Sequence, residues 1–395
     1  MRLLSTAAAL LVATTGHLLA IGHCHAEEAF VSLGIVPPRF ILETGSPSED
    51  AIAWGSFKNH INKTGFAYLE IQTNGTYPDS YQAYAAGLVE GYLTGTLISM
   101  HYNNTIRDYC KGQEEYCKRL NNFMQTNLDY VNQKAKELRE KDAYWHQTEL
   151  ALTQLLGVQD AWTGQSDNKY FPSEAGYTKI TPILFMNADG DIEDLEHALG
   201  TPNPRRVLGA GHCSGLVRLA ENQSDLFVAQ VTWSTYSSML RILKKYKFNY
   251  HQTFLGLDPI PGHTMSFSSS PGRILSGDDF HVISTGLTSI ETTIGNSNPD
   301  LWSKITPKCN LEWLRTIVAN RLAVTGDQWA KLFQREHSGS YNNQWLIVDY
   351  NKFTPGKPLQ PGALTVLEEI PGMIKFADQT AGLNKQSYWP SYNVP

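Results

Sequence analysis

The 395-residue chain is poor in charge, with 18% Asp, Glu, Lys and Arg against 42% hydrophobic residues, and its formal balance is only -6. No basic stripe interrupts this mild acidity, which argues against nucleic acid as a partner. Beyond the N-terminus no apolar run is long enough to cross a bilayer, so no integral membrane segment is expected in the body of the chain. There is no internal repeat, heptad run or low-complexity tract, which sets aside solenoids, coiled coils and disordered tails. Metal-ligand spacings are also scarce: His23-Cys24-His25 is the one such cluster. Asn187-Ala188-Asp189-Gly190-Asp191 imitates the start of a calcium loop, but Ile192 stands where glycine is needed and Ala198 where glutamate is needed. What remains there is an Asp-Gly turn leading into a helix from Glu193 to Leu199. No cofactor and no metal are expected.

What is present starts with Arg2 and an apolar run from Leu3 to Gly22, followed by Cys24-His25-Ala26 before a cut at Glu27. Residues 1–26 therefore read as a secretory signal peptide, and the mature protein as exported. In that compartment the N-x-S/T sequons at Asn62, Asn74, Asn103 and Asn222 are candidate glycosylation sites. Removal of Cys24 leaves Cys110, Cys117, Cys213 and Cys309, which allow three disulfide pairings. On one continuous helix Cys110 and Cys117 would lie roughly 10 Å apart, beyond bridging distance, so their pairing needs a turn at Gly112. Counting alone leaves a Cys213–Cys309 bridge equally open.

The mature chain mixes periods. Short apolar runs within 29–75, at Phe30–Val36, Phe40–Glu43 and Phe66–Ile71, read as strands. Helical periodicity covers Tyr81 to Met100, with Gly87, Gly91 and Gly95 at every fourth place, a stripe suited to close packing against another element. Further helices are expected at Glu115–Leu138 and Ala143–Ala161, then an exposed loop over 164–180 and a linker at Thr201–Arg206. Leu216–Ala220 and Leu226–Val231 around a polar turn read as a hairpin. A helix is expected from Tyr236 to Tyr246 with Met239, Leu240 and Leu243 inward, and another from Leu311 to Ala323. Strands are expected at Phe280–Ile283 and Trp345–Val348. With no regular βαβ alternation, the fold class is α+β.

One stretch concentrates the chemistry: Val207-Leu208-Gly209-Ala210-Gly211-His212-Cys213-Ser214-Gly215-Leu216. Glycines around a lone cysteine permit tight turns and close approach, which a reactive thiol needs. Gly211-x-Cys213-x-Gly215 has the form of a nucleophile elbow, but the residues after it look like strand rather than the helix an elbow requires. The other route to activation is cleavage between His212 and Cys213. It would free an α-amino group, with an ordinary pKa of about 8, on the nucleophile itself, placing nucleophile and base in one residue.

Gly211-His212-Cys213-Ser214-Gly215-Leu216, Asp225-Leu226-Phe227-Val228-Ala229 and Thr232-Trp233-Ser234-Thr235-Tyr236 resemble the phospholipase B-like family. So do Ser270-Pro271-Gly272, Asp278-Asp279-Phe280, Glu291-Thr292-Thr293, Tyr341-Asn342-Asn343-Gln344-Trp345 and Ile370-Pro371-Gly372-Met373, in order along nearly the whole mature chain. The resemblance implies an N-terminal nucleophile hydrolase with an αββα sandwich, made as a glycosylated lysosomal or secreted precursor with a Cys110–Cys117 pair. Cleavage before Cys213 would divide it into an N-terminal chain, 27–212, ending in a loop and linker region over about 164–212, and a nucleophile-bearing chain, 213–395. The implied activity is release of fatty acyl chains from phospholipids or lysophospholipids through an acyl-Cys213 intermediate, with Asn343 or Asn342 as oxyanion donor. Trp233, Thr293 and Asp279 match further site positions. An amidase using the same thioester chemistry, or a catalytically silent lysosomal or secreted glycoprotein, are the alternatives. Two departures bear on this: Gln230 stands where the family usually has histidine, three residues before the tryptophan, and family members continue well beyond Tyr388–Tyr392, so the sandwich is expected to lack its C-terminal part.

Overall fold

The computed structural model describes residues 27–35, 38–164, 170–172, 177, 179–201 and 212–394. The expected signal peptide, most of the expected 164–180 loop and the glycines at 209 and 211 lie outside the described residues. Strands β1 (Glu27–Ile35), β2 (Pro38–Thr44), β3 (Ala53–Asn59) and β4 (Phe66–Thr73) come first, with the one-turn α1 (Ile61–Thr64) before β4. Helices α2 (Asp79–Thr105), α3 (Glu114–Leu138) and α4 (Ala143–Thr163) follow, then β5 (Tyr170–Pro172), α5 (Pro182–Asn187) and α6 (Asp189–Ala198). The next strands are β6 (His212–Leu219), β7 (Leu226–Trp233), β8 (Arg241–Lys247), β9 (Thr264–Ser269), β10 (Phe280–Ile283) and β11 (Leu287–Thr293). Helices α7 (Glu312–Leu322) and α8 (Gly326–Phe333) precede β12 (Asn343–Asp349), β13 (Leu364–Ile370), β14 (Met373–Asp378), α9 (Thr380–Gln386) and β15 (Tyr388–Ser391).

Twelve strands make one sheet in the order β14-β13-β12-β11-β10-β9-β8-β4-β3-β1-β2-β5, and β15-β6-β7 make a second. β4 and β8 run parallel, while β6 is antiparallel to both β7 and β15. Helices cover one face of the large sheet, α2 over β1, β3 and β4 and α8 over β12 to β14. The small sheet covers part of the other face, where Val217, Leu219 and Leu226 share a core with Ile290, Leu346, Val348 and Val366. Because β12 is sandwiched, all seven of its residues are buried. The α+β class expected from the sequence is the one observed.

The glycine stripe has a steric cause. A Cβ on Gly87 would lie 2.0 Å from Gln154 O, and one on Gly157 would lie 2.2 Å from Tyr84 O, so α2 and α4 meet backbone to backbone. Cys110 and Cys117 are bridged, with Cα atoms 5.8 Å apart, and the chain turns between them at Gly112, whose φ is 79°. Cys213 and Cys309 are both unpaired, so the alternative bridge is not formed. The sulfur of Cys309 instead accepts from Asn127 Nδ2 at 3.6 Å.

One expected element is overturned. Residues 236–246 hold a single 3-10 turn, Tyr236–Ser238, and then enter β8. Met239 is exposed, and Leu243 points away from the core that holds Ile242 and Tyr246. The alternation was disguised because its second inward residue is Lys244, fully buried with Nζ 2.6 Å from Glu90 Oε1. Lysine reads as surface unless its partner is known. The stretch read as loop over 164–180 also contains β5, which pairs with β2.

Candidate active site

β6 begins at the site. Its first residues pair His212 with Trp233 and Cys213 with Thr232, as the expected hairpin requires, and the turn between the strands places Asn222 and Gln223 at positive φ. Cys213 is buried, 5% exposed, yet it lines a cleft of about 410 Å³ with Thr232, Trp233, Arg241, Thr293 and Tyr341. Its sulfur lies 3.8 Å from Glu291 Oε1. Its backbone N–H donates to Asn393 Oδ1 at 3.2 Å, and Asn393 Nδ2 donates to Thr293 O at 2.5 Å. Burial, then the carboxyls of Glu291 and Asp279, push the thiol well above its ordinary range, while the backbones of Trp233 and Thr293 act in the opposite sense.

Glu291 stands two residues before Thr293 on β11. It belongs to a buried acidic cluster. Tyr341 Oη donates to Asp279 Oδ2 at 2.6 Å, with Glu291 Oε1 a second acceptor within reach at 3.3 Å. Burial first and Asp279 second raise the Glu291 carboxyl well above the usual carboxylate range, and burial raises Asp279 as well. Two such groups in contact cannot both ionise readily, so the pair holds a proton in common.

This cluster includes strained backbone, which α6 helps to hold in place. Asp279 and Tyr341 both sit in the left-handed region, at φ 53° and 54°, a conformation that side-chain-bearing residues adopt at a cost of about 1–3 kcal/mol. Asp191 and Asp194, one turn apart on α6, grip the residues on either side of Tyr341. Asp191 Oδ1 accepts from Ser340 Oγ at 2.5 Å, and Asp194 Oδ2 accepts from Asn342 N at 3.0 Å and Nδ2 at 2.8 Å. Gly190 makes room for the tyrosine ring, since a Cβ there would lie 2.8 Å from three ring carbons.

The expected site residues divide accordingly. Cys213, Trp233 and Thr293 line one cleft, and Trp233 is half exposed rather than core. Asp279 meets Tyr341 and, through Glu291, approaches the thiol. Asn343 stands opposite Thr293 in the β11–β12 register, fully buried, and neither atom of its amide has a hydrogen-bond partner among the described residues. Asn342 has its amide nitrogen committed to Asp194. Gln230 lies elsewhere, opposite Gly215, where it lines a separate groove of about 900 Å³ with Phe66, Tyr68, Leu243, Phe280 and Val282. Cleft and groove share Thr232, Arg241 and Asp278, and Arg241 is ion-paired with Asp278. Of His212 only the backbone pairing is described. Glu291 and Tyr341 were missed as site residues, although both stand inside the motifs Glu291-Thr292-Thr293 and Tyr341-Asn342-Asn343; the available signal was a carboxylate in the middle of a β-prone run. Among the described residues no group of His, Cys, Asp and Glu could hold a metal ion, and no helix is long and apolar enough to cross a membrane.

An unpaired thiol at the first turn of a strand, set against a proton-sharing carboxyl pair and open to a cleft, defines an α+β protein with a candidate acyl-transfer site. The family model for phospholipase B matches residues 53–395. Similar proteins include "Putative phospholipase B-like 2" of Mus musculus, 47% identical over 353 residues, covering 88% of this chain and 59% of the relative. The Homo sapiens protein of the same name is 48% identical over 355 residues, with coverage of 88% and 59%. "Phospholipase B-like protein B" of Dictyostelium discoideum is 38% identical over 381 residues, covering 92% and 64%. The chain belongs to the phospholipase B family. It spans about three fifths of the length of the curated relatives it matches.

Proposed function

We propose that the protein is a self-processing cysteine hydrolase of the N-terminal nucleophile type, which releases fatty acyl chains from phospholipids or lysophospholipids. The observation that carries this reading is Cys213 itself: unpaired, at the start of β6, buried, and opening into a cleft. A thiol with its proton held so firmly is a poor nucleophile until a base is supplied, and cleavage before it supplies the α-amino group. The new amine accepts the thiol proton, the sulfur attacks the substrate carbonyl, and the alcohol leaves to give an acyl-thioester that water hydrolyses. Asn343, with an uncommitted buried amide, is the preferred oxyanion donor over Asn342.

A lipid substrate is supported by the names of the relatives and by the groove next to the cleft. With the carbonyl at Cys213, an acyl chain running past Thr232 and Arg241 enters the larger space between Phe66, Tyr68, Leu243 and Phe280. The helix–sheet–sheet layering supports the αββα sandwich reading, of which the second helical layer is not represented among the described residues. An exported, lysosomal or secreted glycoprotein fits the Cys110–Cys117 bridge and the exposure of Asn62, Asn103 and Asn222. Asn74 is less available, because its Oδ1 accepts from Thr76 N at 3.1 Å and its Nδ2 reaches Ala51 O at 3.3 Å.

Denaturing electrophoresis with N-terminal sequencing of the secreted protein tests this. A chain beginning at Cys213, absent in Cys213→Ala, is the expected result; a wild-type chain that stays whole refutes the self-processing reading. On the processed protein, labelling of Cys213 by a thiol probe, blocked by a lysophospholipid and not by the matching fatty amide, supports the ester substrate. The reverse pattern selects the amidase, and no labelling selects the silent glycoprotein.

A further inference from the structure

We propose that Glu291 carries the proton during self-cleavage, taking it from the Cys213 thiol and delivering it to the departing nitrogen, and that Asp279 sets the pH at which this happens. The inference rests on the reading of Cys213 as a self-processing nucleophile and concerns the step before the α-amino group exists. In the uncleaved chain the Cys213 nitrogen is an amide that donates to Asn393 Oδ1, with no basic lone pair to offer the thiol. The first turnover therefore needs another base. Glu291 Oε1, 3.8 Å from the sulfur, is the acceptor in position.

The step balances without an outside reagent other than water. Sγ gives its proton to Glu291 and attacks the carbonyl carbon of His212, closing a five-membered ring. The C–N bond then breaks as Glu291 returns the proton to nitrogen, leaving a thioester on Sγ and a free α-amino group on Cys213. Water attacks the thioester, the carbonyl of His212 leaves as a carboxyl group, and the thiol is restored.

Geometry also explains why the carboxyl would be poised rather than permanently charged. Glu291 faces Asp279 from the segment before β10, Tyr341 from the segment before β12, Glu312 from α7 and the thiol from β6, and Arg273 is the cation nearest in influence to Asp279. Tyr341 has one proton to donate and sits closer to Asp279, at 2.6 Å, than to Glu291, at 3.3 Å. Glu291 Oε2 is buried, and no N–H or hydroxyl among the described residues reaches it. Asp191 Oδ2 and Glu369 Oε1 are bare in the same way, so what sets Glu291 apart is the thiol 3.8 Å from its other oxygen.

The test is the processing rate of purified uncleaved precursor between pH 4 and pH 8, followed by electrophoresis for wild type, Glu291→Gln, Glu291→Asp and Asp279→Asn. Expected are a loss of at least about 100-fold in Glu291→Gln, partial recovery in Glu291→Asp, and a rate profile displaced to lower pH in Asp279→Asn, where the competing charge is gone. A wild-type precursor that never cleaves refutes the nucleophile reading. Cleavage of wild type and Glu291→Gln at rates within a few fold overturns the proton-carrier role alone. Should Glu291→Gln fail to unfold cooperatively, the Asp279→Asn profile decides, and an unmoved profile overturns the proposal.

Discussion

Asp194 should make a measurable contribution to stability in mild acid that is lost toward neutral pH, against the opposite effect of His101 and His281, whose buried imidazoles are pushed down to about 3. Burial lifts its carboxyl from an ordinary 3.8 to about 7, against the opposing effect of the Asn342 N–H it accepts and with Asp191 adding to the rise. The folded state therefore holds a proton that the unfolded chain releases near pH 4. Between those two values the folded state binds more protons, so unfolding free energy falls as pH rises. Each unit of separation is about 1.4 kcal/mol, which puts the loss between pH 4 and pH 7 at roughly 4 kcal/mol. This is an upper bound, because the side chain keeps some contact with solvent. At about 2.1 cal/mol/K of unfolding entropy per residue, a fold of this size loses roughly 5 °C in Tm for that amount. Asp194→Asn keeps the shape and an acceptor for Asn342 while removing the ionisation. Scanning calorimetry at half-unit intervals from pH 4 to 8 should show the wild-type Tm losing ground to that of the variant as pH rises from 4 to 7. Asp191, Asp279, Glu291 and Glu312, raised by burial, and His101 and His281, lowered by it, act on both proteins alike, so the difference between the curves isolates Asp194. Parallel curves for the two proteins would refute the reasoning.

Two further perturbations test the scaffold. Gly157→Ala gains about 1 kcal/mol of helix propensity, but its methyl would lie 2.2 Å from Tyr84 O and 2.8 Å from Leu88 N, both backbone atoms that cannot rotate away. Overpacking of this kind costs about 1–3 kcal/mol or more, so thermal denaturation should show a net loss of one to several degrees, and a Tm at or above wild type contradicts the close-approach argument. Replacing Cys110 and Cys117 together by serine releases a loop with a sequence separation of 7. The chain-entropy relation gives about 2.5 kcal/mol for that loop, readable as a lower midpoint in denaturant that reductant reproduces in wild type and leaves unchanged in the double variant.

The parts legible in the sequence are those in which local preference and final environment agree. The helices α2, α3, α4 and α7 show their apolar faces directly, the β6–β7 hairpin announces its turn at Glu221–Asp225, and Gly112 marks the one place where the two cysteines can meet. β8 and β9 were lost for opposite reasons. In β8 the inward Lys244 breaks the alternation because its partner, Glu90, is 154 positions away; in β9 a run of serines around Met265 and Phe267 looks like loop until Ser269 is seen bonding Leu275 O within the fold. At the site the same division holds. Cys213 was legible from its glycines, whereas Glu291 and Tyr341 depend on contacts that no local pattern encodes: Ser340 is fixed by Asp191 across 149 positions, and Asn342 by Asp194 across 148. Each also breaks a rule that the rest of the chain obeys, a carboxyl buried beside another carboxyl and a tyrosine held at positive φ. Such violations persist only where the surrounding structure enforces them. Here they gather within reach of one unpaired thiol, and α6 and the 340–342 segment are arranged to maintain them. A fold that needed only stability would be better served by a hydrophobic residue at 291. That the carboxyl is kept at such cost is an argument, independent of any likeness to other proteins, that the end of β11 is where protons are moved.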